Sequence, residues 1–463
     1  MLAVWLPDLD LPLGDSDDGR ILARFGLSAR NFWDMGAVES GFGARIDPYI
    51  RGEYGIEPGQ IPPEEAVTYA HHPPLQTFIT IASVGLLGDN EAALRVVGFL
   101  VGSATVLFMV ALARQVGMGW GPTLLGVGAM ASTGFYLIYG RLGVGFSLIA
   151  ASAAVVAYLR SLRRPPGWLT VGGGVLACLT AMQSWIAMGA IVLLVVWLYT
   201  SQGLSTVTRR MAIGTLLGIV IVGVWLALGT DPGELGNQVT LRTETADYPL
   251  GEFLARQWRF AGYLTPIWLR LLAPIGLIAG LLDRRTRIPT AITLVVAAAW
   301  TFGLRQGAWV HVLWNFPWLA PITLGLTALA DRIRLLLSDR WEKVAGWAAA
   351  VVIAATFYGT ITGPIPDNYL HTPAQAGAVL SQVAPSAAAK IWVTSGISSP
   401  RWVSFYLDKP VWTIETGYLD LVEPDDLILT RTDRKPNNIP LPDHFLLEEG
   451  RYQLFDGTAV IDR

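Results

Sequence analysis

Residues 75–363 are dominated by long apolar segments, eleven in all, which short polar breaks separate. An α-helix needs about 20 residues to cross a hydrocarbon layer of about 30 Å, and the better segments have that length. The segments lie at residues 75–88, 92–114, 119–138, 142–160, 168–184, 185–200, 211–229, 262–282, 288–305, 309–330 and 344–363. A tight turn is expected at residues 183–185, because residues 168–200 are too long for one crossing. This pattern predicts an α-helical polytopic membrane protein with about 10–12 transmembrane helices.

The overall composition agrees with a membrane protein and excludes several classes of function. Only 15% of the 463 residues are charged, against roughly 25% in soluble domains. The net charge is −3 and the basic residues are scattered, so no nucleic-acid partner is expected. The sequence has no glycine-rich phosphate loop, so neither a nucleotide ligand nor an ATP-driven pump is expected. The single cysteine, Cys178, lies in an apolar run and is interpreted as a packing residue.

Arginine clusters occur in every second loop, and positively charged short loops stay on the cytoplasmic side. The clusters comprise Arg160, Arg163, Arg164, Arg209, Arg210, Arg284, Arg285, Arg287, Arg332, Arg334, Arg340 and Lys343. The intervening loops then face outward: the turn at 139–141, the loop at 230–261, the turn at 305–308 and the chain after 363. We therefore expect a multi-pass protein of a prokaryotic cytoplasmic membrane.

Two polar regions flank the apolar segments. We expect three domains: an outer acidic loop with an interfacial helix (1–73), a multi-spanning transmembrane domain (74–363) and a small extracytoplasmic α/β domain (364–463). Eleven full crossings would leave residues 1–73 in the cytoplasm. The weakest segment, 75–88, has 14 residues, and a partial crossing there would place both polar regions outside.

The expected α/β domain is indicated by short β-rich runs between proline, glycine and aspartate turn signals. The runs lie at Ile391–Thr394, Val411–Ile414 and 427–429. A small sheet is therefore predicted after the last crossing.

The N-terminal region contains an acidic cluster, Asp15, Asp17 and Asp18, directly before a helix-like stretch at residues 21–35. The apolar residues of this stretch recur at helical spacing and predict a face that lies along the membrane surface. They are Leu22, Phe25, Ala29, Phe32 and Trp33. A carboxylate at the interface can take the proton from an attacking hydroxyl or hold a divalent cation. The alternative is that Asp17 and Asp18 only form a turn or a helix cap.

Several short motifs follow one another in a fixed order along the chain. They are Asp17-Asp18-Gly19, Ala29-Arg30-Asn31-Phe32 with Gly36, His71-His72-Pro73-Pro74-Leu75, Glu91 to Arg95, and Tyr139-Gly140-Arg141. This order resembles GT-C fold glycosyltransferases, in particular the bacterial aminoarabinose-transferase and protein-mannosyltransferase-like group. No single motif is specific, so the order carries the resemblance, which covers most of the chain.

The resemblance implies a reaction, its partners and a site. In such enzymes an acidic residue or pair of the first outer loop is catalytic. A sugar then moves from a polyprenyl-phosphate carrier to an acceptor on the outer face of the membrane. Asp17 or Asp18 would be the base or would hold a divalent metal (Mg, Mn or Zn), and no other cofactor is implied. The expected substrate-binding residues are Asp15, Arg30, Asn31, His71, His72, Arg141, Arg270, Arg305 and His311.

Two features of the chain depart from that family. A transmembrane helix usually precedes the acidic loop, and residues 1–10 are too short to supply one, so such a helix is expected upstream or absent. A second acidic residue usually follows the tyrosine-x-arginine turn, where this chain has the apolar residues 142–146. A second carboxylate would then come from Asp47, Asp231, Glu234 or Glu244.

The phosphate of such a donor needs cations near the outer interface, and guanidinium groups suit it because they donate two parallel hydrogen bonds. Arg141 and Arg305 lie at expected outer helix ends. Arg270 lies inside the 262–282 segment, where an arginine is costly unless it has a polar partner. Each of the three could instead extend from an ordinary helix end to the lipid headgroups.

Other polar residues near the outer side have a simpler interpretation. His311 is interpreted by default as a packing residue, with a ligand role as the alternative, and an interfacial aromatic belt is expected around it. The belt residues are Trp309, Trp314 and Trp318. The charged residues of the 230–261 loop are interpreted as a solvated surface, with acceptor binding as the alternative. They are Arg242, Glu244, Arg256 and Arg259.

Two other classes of function compete with a transferase. A secondary transporter or lipid flippase would place its charged site near the bilayer midplane and often contains repeated halves. The acidic cluster lies instead in a polar region, and the sequence shows no internal repeat. A non-catalytic membrane scaffold that presents its C-terminal domain to a partner is the third possibility.

Overall fold

A computed structural model of the chain shows a mostly helical protein with a small C-terminal sheet. The structure describes residues 5–15, 17–46, 68, 72–142, 147–229, 236, 240, 243, 248–337, 342–362, 390–394, 396–397, 401–408, 411–414, 419, 421–434, 439, 441, 445–449 and 452–457. The chain forms two compact units. Unit one comprises Met1–Leu6, Ala70–Gln76 and Val97–Ile365, and unit two comprises Pro7–Tyr69, Thr77–Val96 and Pro366–Arg463. The domain boundaries predicted at 73 and 363 stay predictions.

Apolar helices account for most of the described residues before the sheet. In chain order the α-helices are α1 (Asp17–Met35), α2 (Leu75–Leu87), α3 (Glu91–Gln115), α4 (Trp120–Ala131), α5 (Gly134–Tyr139), α6 (Ser147–Ser161), α7 (Gly167–Gln183), α8 (Trp185–Gln202), α9 (Thr206–Gly229), α10 (Leu250–Leu264), α11 (Ile267–Leu282), α12 (Arg287–Gly303), α13 (Arg305–Val310), α14 (Leu319–Leu337), α15 (Glu342–Ile361) and α16 (Arg401–Leu407).

The helices confirm a polytopic membrane protein. Among the described residues, 4 helices are long and apolar enough to cross a membrane, or up to 6 if each bent pair is one crossing. The single helices are α3, α8, α9 and Val312–Leu337, and the bent pairs are α4 with residues 134–142 and α10 with α11. Shorter apolar helices accompany them, so each of the eleven predicted segments contains an apolar helix.

The predicted turn at residues 183–185 is confirmed. α7 ends at Gln183 and α8 begins at Trp185. Ser184 between them is extended, and its hydroxyl accepts a hydrogen bond of 3.1 Å from the backbone N–H of Ala187. This bond caps the first turn of α8.

The predicted crossing at 262–282 is wrong in its first part. Thr265 and Pro266 are extended and separate α10 from α11, with a bend of 118° between the two helices. A residue before proline avoids the α region, which ends the first helix there. Because α10 starts at Leu250, part of the expected outer loop is helical as well.

α7 and α9 cross at close range because both have small residues at the contact. A Cβ on Gly214 would lie 1.9 Å from the backbone oxygen of Gly174, and one on Gly218 would lie 2.5 Å from that of Cys178. Small residues four positions apart allow membrane helices to approach in this way. Leu216, on another side of α9, is 62% exposed, as expected for a residue that faces lipid.

One end of the helix bundle in unit one is held by charged side chains. Asp331 of α14 is 0% exposed and accepts hydrogen bonds from Arg285 at 2.8 Å, Arg334 at 3.0 Å and the backbone N–H of Gly119 at 3.0 Å. Arg285 also pairs with Asp283 at 2.7 Å. The α3–α4 turn, the α11–α12 turn and the end of α14 therefore meet at this end, which we call the arginine end.

Unit two contains a five-stranded sheet in the order β2-β1-β3-β5-β4. β1 pairs in parallel with β2 and β3, whereas β5 is antiparallel to β3 and β4. α16 connects β1 to β2 and buries Trp402, Val403 and Phe405. The strands are β1 (Ile391–Thr394), β2 (Val411–Ile414), β3 (Leu427–Arg431), β4 (Leu447–Glu449) and β5 (Tyr452–Asp456). The first three contain the β-rich runs that predicted them.

Helix α1 packs against α16 within unit two. Leu22, Phe25 and Ala29 are buried, at 1%, 6% and 0% exposed. The prediction that these residues face the membrane surface is wrong, because protein covers them. Trp33 at the other end of the helix is 55% exposed.

Candidate functional site

Asp17 and Asp18 form the first turn of α1. Gly19 in the same turn lies against the preceding segment, since a Cβ there would be 1.9 Å from the Gly14 carbonyl oxygen. The two aspartate side chains lie outside the described residues, so their catalytic role stays a prediction.

Asp15, two residues before this pair, forms a buried ion pair with the last residue of β3. Arg431 Nη1 donates to Asp15 Oδ2 at 2.8 Å, and the two side chains are 2% and 0% exposed. Arg431 also donates to both carboxylate oxygens of Asp433, at 2.9 and 2.7 Å. Burial acts to lower the pKa of Arg431, but the hydrogen bonds to Asp433 and Asp15 outweigh it and raise that pKa.

Two further side chains, one half-buried and one buried, fix the segment before α1. The Tyr406 hydroxyl accepts a hydrogen bond of 2.6 Å from the backbone N–H of Leu13 and donates one of 2.7 Å to Glu91. Burial, followed by the nearby Glu91 carboxylate, raises the pKa of Tyr406. Arg95 is 1% exposed and donates to the carbonyl oxygen of Leu11. The chain that leads into the acidic turn is thus held by polar contacts within unit two.

Arg30 and Asn31, predicted to bind substrate, have protein partners. Arg30 donates to Asp89 at 2.7 Å and to Asp408 at 3.2 Å. Asn31 donates to the carbonyl oxygen of Arg45 at 3.2 Å. These contacts hold the second half of α1, and a role in substrate binding stays a prediction.

Several predicted site residues lie at or beyond the limits of the described chain. His72 is exposed, directly before Pro73 and the start of α2. His71 lies outside the described residues, as do the candidates for a second carboxylate and one charged residue of the outer loop. These are Asp47, Asp231, Glu234, Glu244 and Arg242.

Arg141 lies in a short 3-10 turn, Gly140–Leu142, that follows α5 in unit one. It is 4% exposed, so protein encloses it, which argues against an arginine that extends to the headgroups. α3 approaches this turn closely, since a Cβ on Gly98 would lie 1.6 Å from the Arg141 carbonyl oxygen. Trp5 stacks on Tyr136 of α5 with 6.2 Å between ring centroids.

Arg270 lies in the first turn of α11, so its predicted depth inside a crossing is wrong. Its guanidinium is 4.7 Å from the ring centroid of Trp258 on α10, and Nη1 donates to the Trp258 carbonyl oxygen at 3.4 Å. Nε is buried and has no hydrogen-bond partner among the described residues. The bend between α10 and α11 thus carries a guanidinium with an unused donor.

Arg305 begins α13, whereas the sequence predicted that it ends the preceding helix, which stops at Gly303. Its guanidinium lies 5.4 Å from the ring centroid of Phe253 on α10. His311 follows α13 as an extended, partly buried residue.

The 3-10 segment Val312–Trp318 brings these elements together within unit one. Its Phe316 packs on Tyr136 and Tyr139 of α5, each with 6.2 Å between ring centroids. The turn with Arg141 therefore adjoins the segment that follows His311. This end of the bundle is opposite to the arginine end along α4, α12 and α14.

A polar group beside this segment was not predicted. Arg256 donates to the Trp309 carbonyl oxygen at 2.6 Å and stacks on the Trp309 ring at 4.4 Å. Gln257 accepts a hydrogen bond of 2.7 Å from Asn315. The interpretation of Arg256 as solvated surface is wrong, whereas Arg259 is exposed as expected. The helical spacing of these residues was the sequence feature that could have revealed this polar group, but residues 230–261 were predicted to be a loop.

Comparison with known proteins adds information at the level of fold. No family model and no curated protein matches the chain. The crystal structure of ArnT from Cupriavidus metallidurans in the apo state matches 99% of this chain and 96% of that chain, at 14% identity and a TM-score of 0.51. The same protein bound to undecaprenyl phosphate matches 98% and 96%, at 14% identity and a TM-score of 0.52. The chain has the GT-C fold.

A second solved structure with this fold is the Archaeoglobus fulgidus oligosaccharyltransferase in complex with Zn and sulfate. It matches 91% of this chain and 64% of that chain, at 10% identity and a TM-score of 0.52. The GT-C resemblance predicted from the order of motifs is thereby confirmed at the level of fold. Among the described residues of the present chain, no three His, Cys, Asp or Glu side chains are grouped to hold a metal ion. A metal held by Asp17 and Asp18 stays a prediction.

Proposed function

We propose that the protein is a membrane glycosyltransferase that moves a sugar from a polyprenyl-phosphate-linked donor to a lipid, glycan or protein acceptor. The observation that carries the proposal is the GT-C fold, which 98% of the chain shares with a structure that holds undecaprenyl phosphate. The acidic pair in the first turn of α1 supplies the type of residue that such a reaction needs.

In the proposed reaction, the acceptor oxygen attacks the anomeric carbon while Asp17 or Asp18 takes the hydroxyl proton. The bond from the anomeric carbon to the phosphate oxygen breaks, and its electron pair leaves with polyprenyl phosphate. The configuration at the anomeric carbon is inverted by this single displacement. Arg141, Arg270 and Arg305 are the proposed groups that bind the phosphate and neutralise its developing charge.

Asp15, Arg30 and Asn31 remain proposed substrate-binding residues, and their described protein partners also hold α1 and the segment before it in position. His71, His72 and His311 remain proposed substrate-binding residues. A divalent metal (Mg, Mn or Zn) on Asp17 and Asp18 is an alternative to direct proton transfer, and loss of activity in EDTA that one of these ions restores would support it.

We also propose that transfer takes place on the outer face of a prokaryotic cytoplasmic membrane. The α11–α12 turn and the end of α14 meet at the arginine end. Short loops rich in arginine stay in the cytoplasm, which supports an outward position for the opposite end of the bundle. The variant Arg287→Cys tests this orientation. We expect an impermeant maleimide to label the new cysteine only after the membrane is opened.

Purified protein, given a radiolabelled polyprenyl-phosphate sugar and a membrane extract as acceptor source, tests the proposal. We expect the labelled sugar to move from the donor to the acceptor, and polyprenyl phosphate to be released. Arg270→Gln should reduce transfer about tenfold or more, because one charge-assisted contact to phosphate is lost, and Arg259→Gln on the exposed side of α10 is the matched control. Label that crosses a vesicle membrane while still attached to its donor would indicate a transporter instead.

A further inference from the structure

A cavity of about 340 Å³ lies among α3, α6, α8, α12 and α14 of unit one. Most of its lining is apolar, including Leu112 and Ile191. Three cations line it as well: Arg160, Arg284 and Arg285. The proposed transfer reaction uses none of these residues.

Along α6 the lining of the cavity extends over a length similar to the thickness of one leaflet. Its lining on α6 runs from Ile149 to Arg160, a rise of about 16 Å at 1.5 Å per residue. Half of a hydrocarbon core of about 30 Å is about 15 Å. Ala320, near the start of α14, lines the deep end, and the cations line the shallow end, which is the arginine end.

Two of the three cations have charge available for a ligand. Arg285 is paired with Asp283 and Asp331. Arg284 is exposed, and no carboxylate of the described residues pairs with it or with Arg160. The Arg160 guanidinium lies 4.4 Å from the ring centroid of Trp197, another lining residue, a stacking geometry that leaves its N–H edge open.

We infer that this cavity binds one molecule of an anionic phospholipid of the bilayer. One acyl chain fills the apolar part, and the phosphate contacts Arg160 and Arg284 at the mouth. Basic pockets between membrane helices on the cytoplasmic side bind anionic headgroups in this way. The leaflet depth favours an acyl chain over a polyprenyl chain, which is far longer than one leaflet.

Native mass spectrometry of the purified protein tests this inference. Titration with dioleoyl phosphatidylglycerol should fill one site at least about tenfold more tightly than dioleoyl phosphatidylcholine, because two arginines attract a headgroup with net negative charge, and the phosphatidylcholine headgroup has no net charge. The double variant Arg160→Gln, Arg284→Gln should lose this preference. The matched control is Arg209→Gln, Arg210→Gln, which removes two exposed arginines at the start of α9 that do not line the cavity.

A second variant, Ala157→Phe, places a ring among the lining residues and should abolish the tight site for both lipids while the thermal transition is kept. Equal binding of the two lipids by the wild type would overturn the inference. It would also be overturned if Arg209→Gln, Arg210→Gln lost the preference for phosphatidylglycerol as much as Arg160→Gln, Arg284→Gln does. Displacement of phosphatidylglycerol by a lower concentration of polyprenyl phosphate would overturn the assignment to a bilayer phospholipid. None of these readouts measures sugar transfer, so a failure here is distinct from a failure of the proposed function.

Discussion

Replacing Arg431 with methionine tests whether the segment before α1 depends on the sheet for its position. The substitution keeps an apolar stem and removes the guanidinium that donates to Asp15 and Asp433. The side chain of Asp15 is 0% exposed, so its carboxylate would remain buried without this counter-charge. Loss of one partner from a buried ion pair destabilises a protein by about 3–5 kcal/mol.

Variants of the two aspartates supply the comparison. The Asp433 side chain is 40% exposed, so Asp433→Asn should cost about 0–1 kcal/mol, as for a surface pair. Asp15→Asn keeps an oxygen that accepts a hydrogen bond and should cost about 1–3 kcal/mol. Adding Asp15→Asn to Arg431→Met should recover part of the loss, because the buried negative charge is then removed.

Thermal unfolding in detergent, followed by tryptophan fluorescence, measures these differences. A unit of 150–250 residues loses roughly 2–4 °C in Tm per kcal/mol, so Arg431→Met should unfold roughly 6–20 °C below the wild type. Asp433→Asn should unfold within about 4 °C of it. Equal shifts in Arg431→Met and Asp433→Asn would refute the reasoning, because the buried pair would then contribute no more than the exposed one.

Further predictions concern a tyrosine, a turn and a helix contact. Tyr406→Phe should cost about 1–3 kcal/mol of stability in thermal unfolding, since two hydrogen bonds are lost. Because burial raises the pKa of Tyr406, the wild type should also lose stability as the pH rises above about 10, and the variant should not. A hydrogen bond from Arg285 lowers the pKa of Asp283. The charged Asp283 therefore stabilises the fold at neutral pH, and this stabilisation is lost as the pH falls below about 3.9. Asp283→Asn should not show this loss. Gly98→Ala should displace the Arg141 turn and reduce sugar transfer, whereas Gly172→Ala, with nothing within 4 Å of its Cβ, should not.

Local patterns predicted the elements well, because helix length, strand composition and turn residues act over a few positions. The runs at Ile391–Thr394 and Val411–Ile414 coincide with strands, and Ser184 caps a helix where a turn was expected. The segment 262–282 failed because hydropathy hardly changes at Pro266, whereas the residue before a proline disfavours the α region and Thr265 is extended.

Contacts between distant parts of the chain could not be predicted in this way. Asp15 and Arg431 are separated by 416 positions, and the only local signal was a charged residue at the end of a β-rich run. The apolar face of α1 indicated that Leu22 and Phe25 are buried, but not which element buries them. In the structure α1 packs against α16, where lipid was predicted.

Sugar transfer by variants of the acidic turn tests the central claim most directly. Asp17→Asn, Asp18→Asn and the double variant are compared with Asp34→Asn, which removes an exposed acid at the other end of α1. We expect at least one single variant and the double variant to lose about 100-fold or more in rate, the effect of removing a general base, while Asp34→Asn stays near the wild type. A folded double variant that transfers label at the wild-type rate would contradict it.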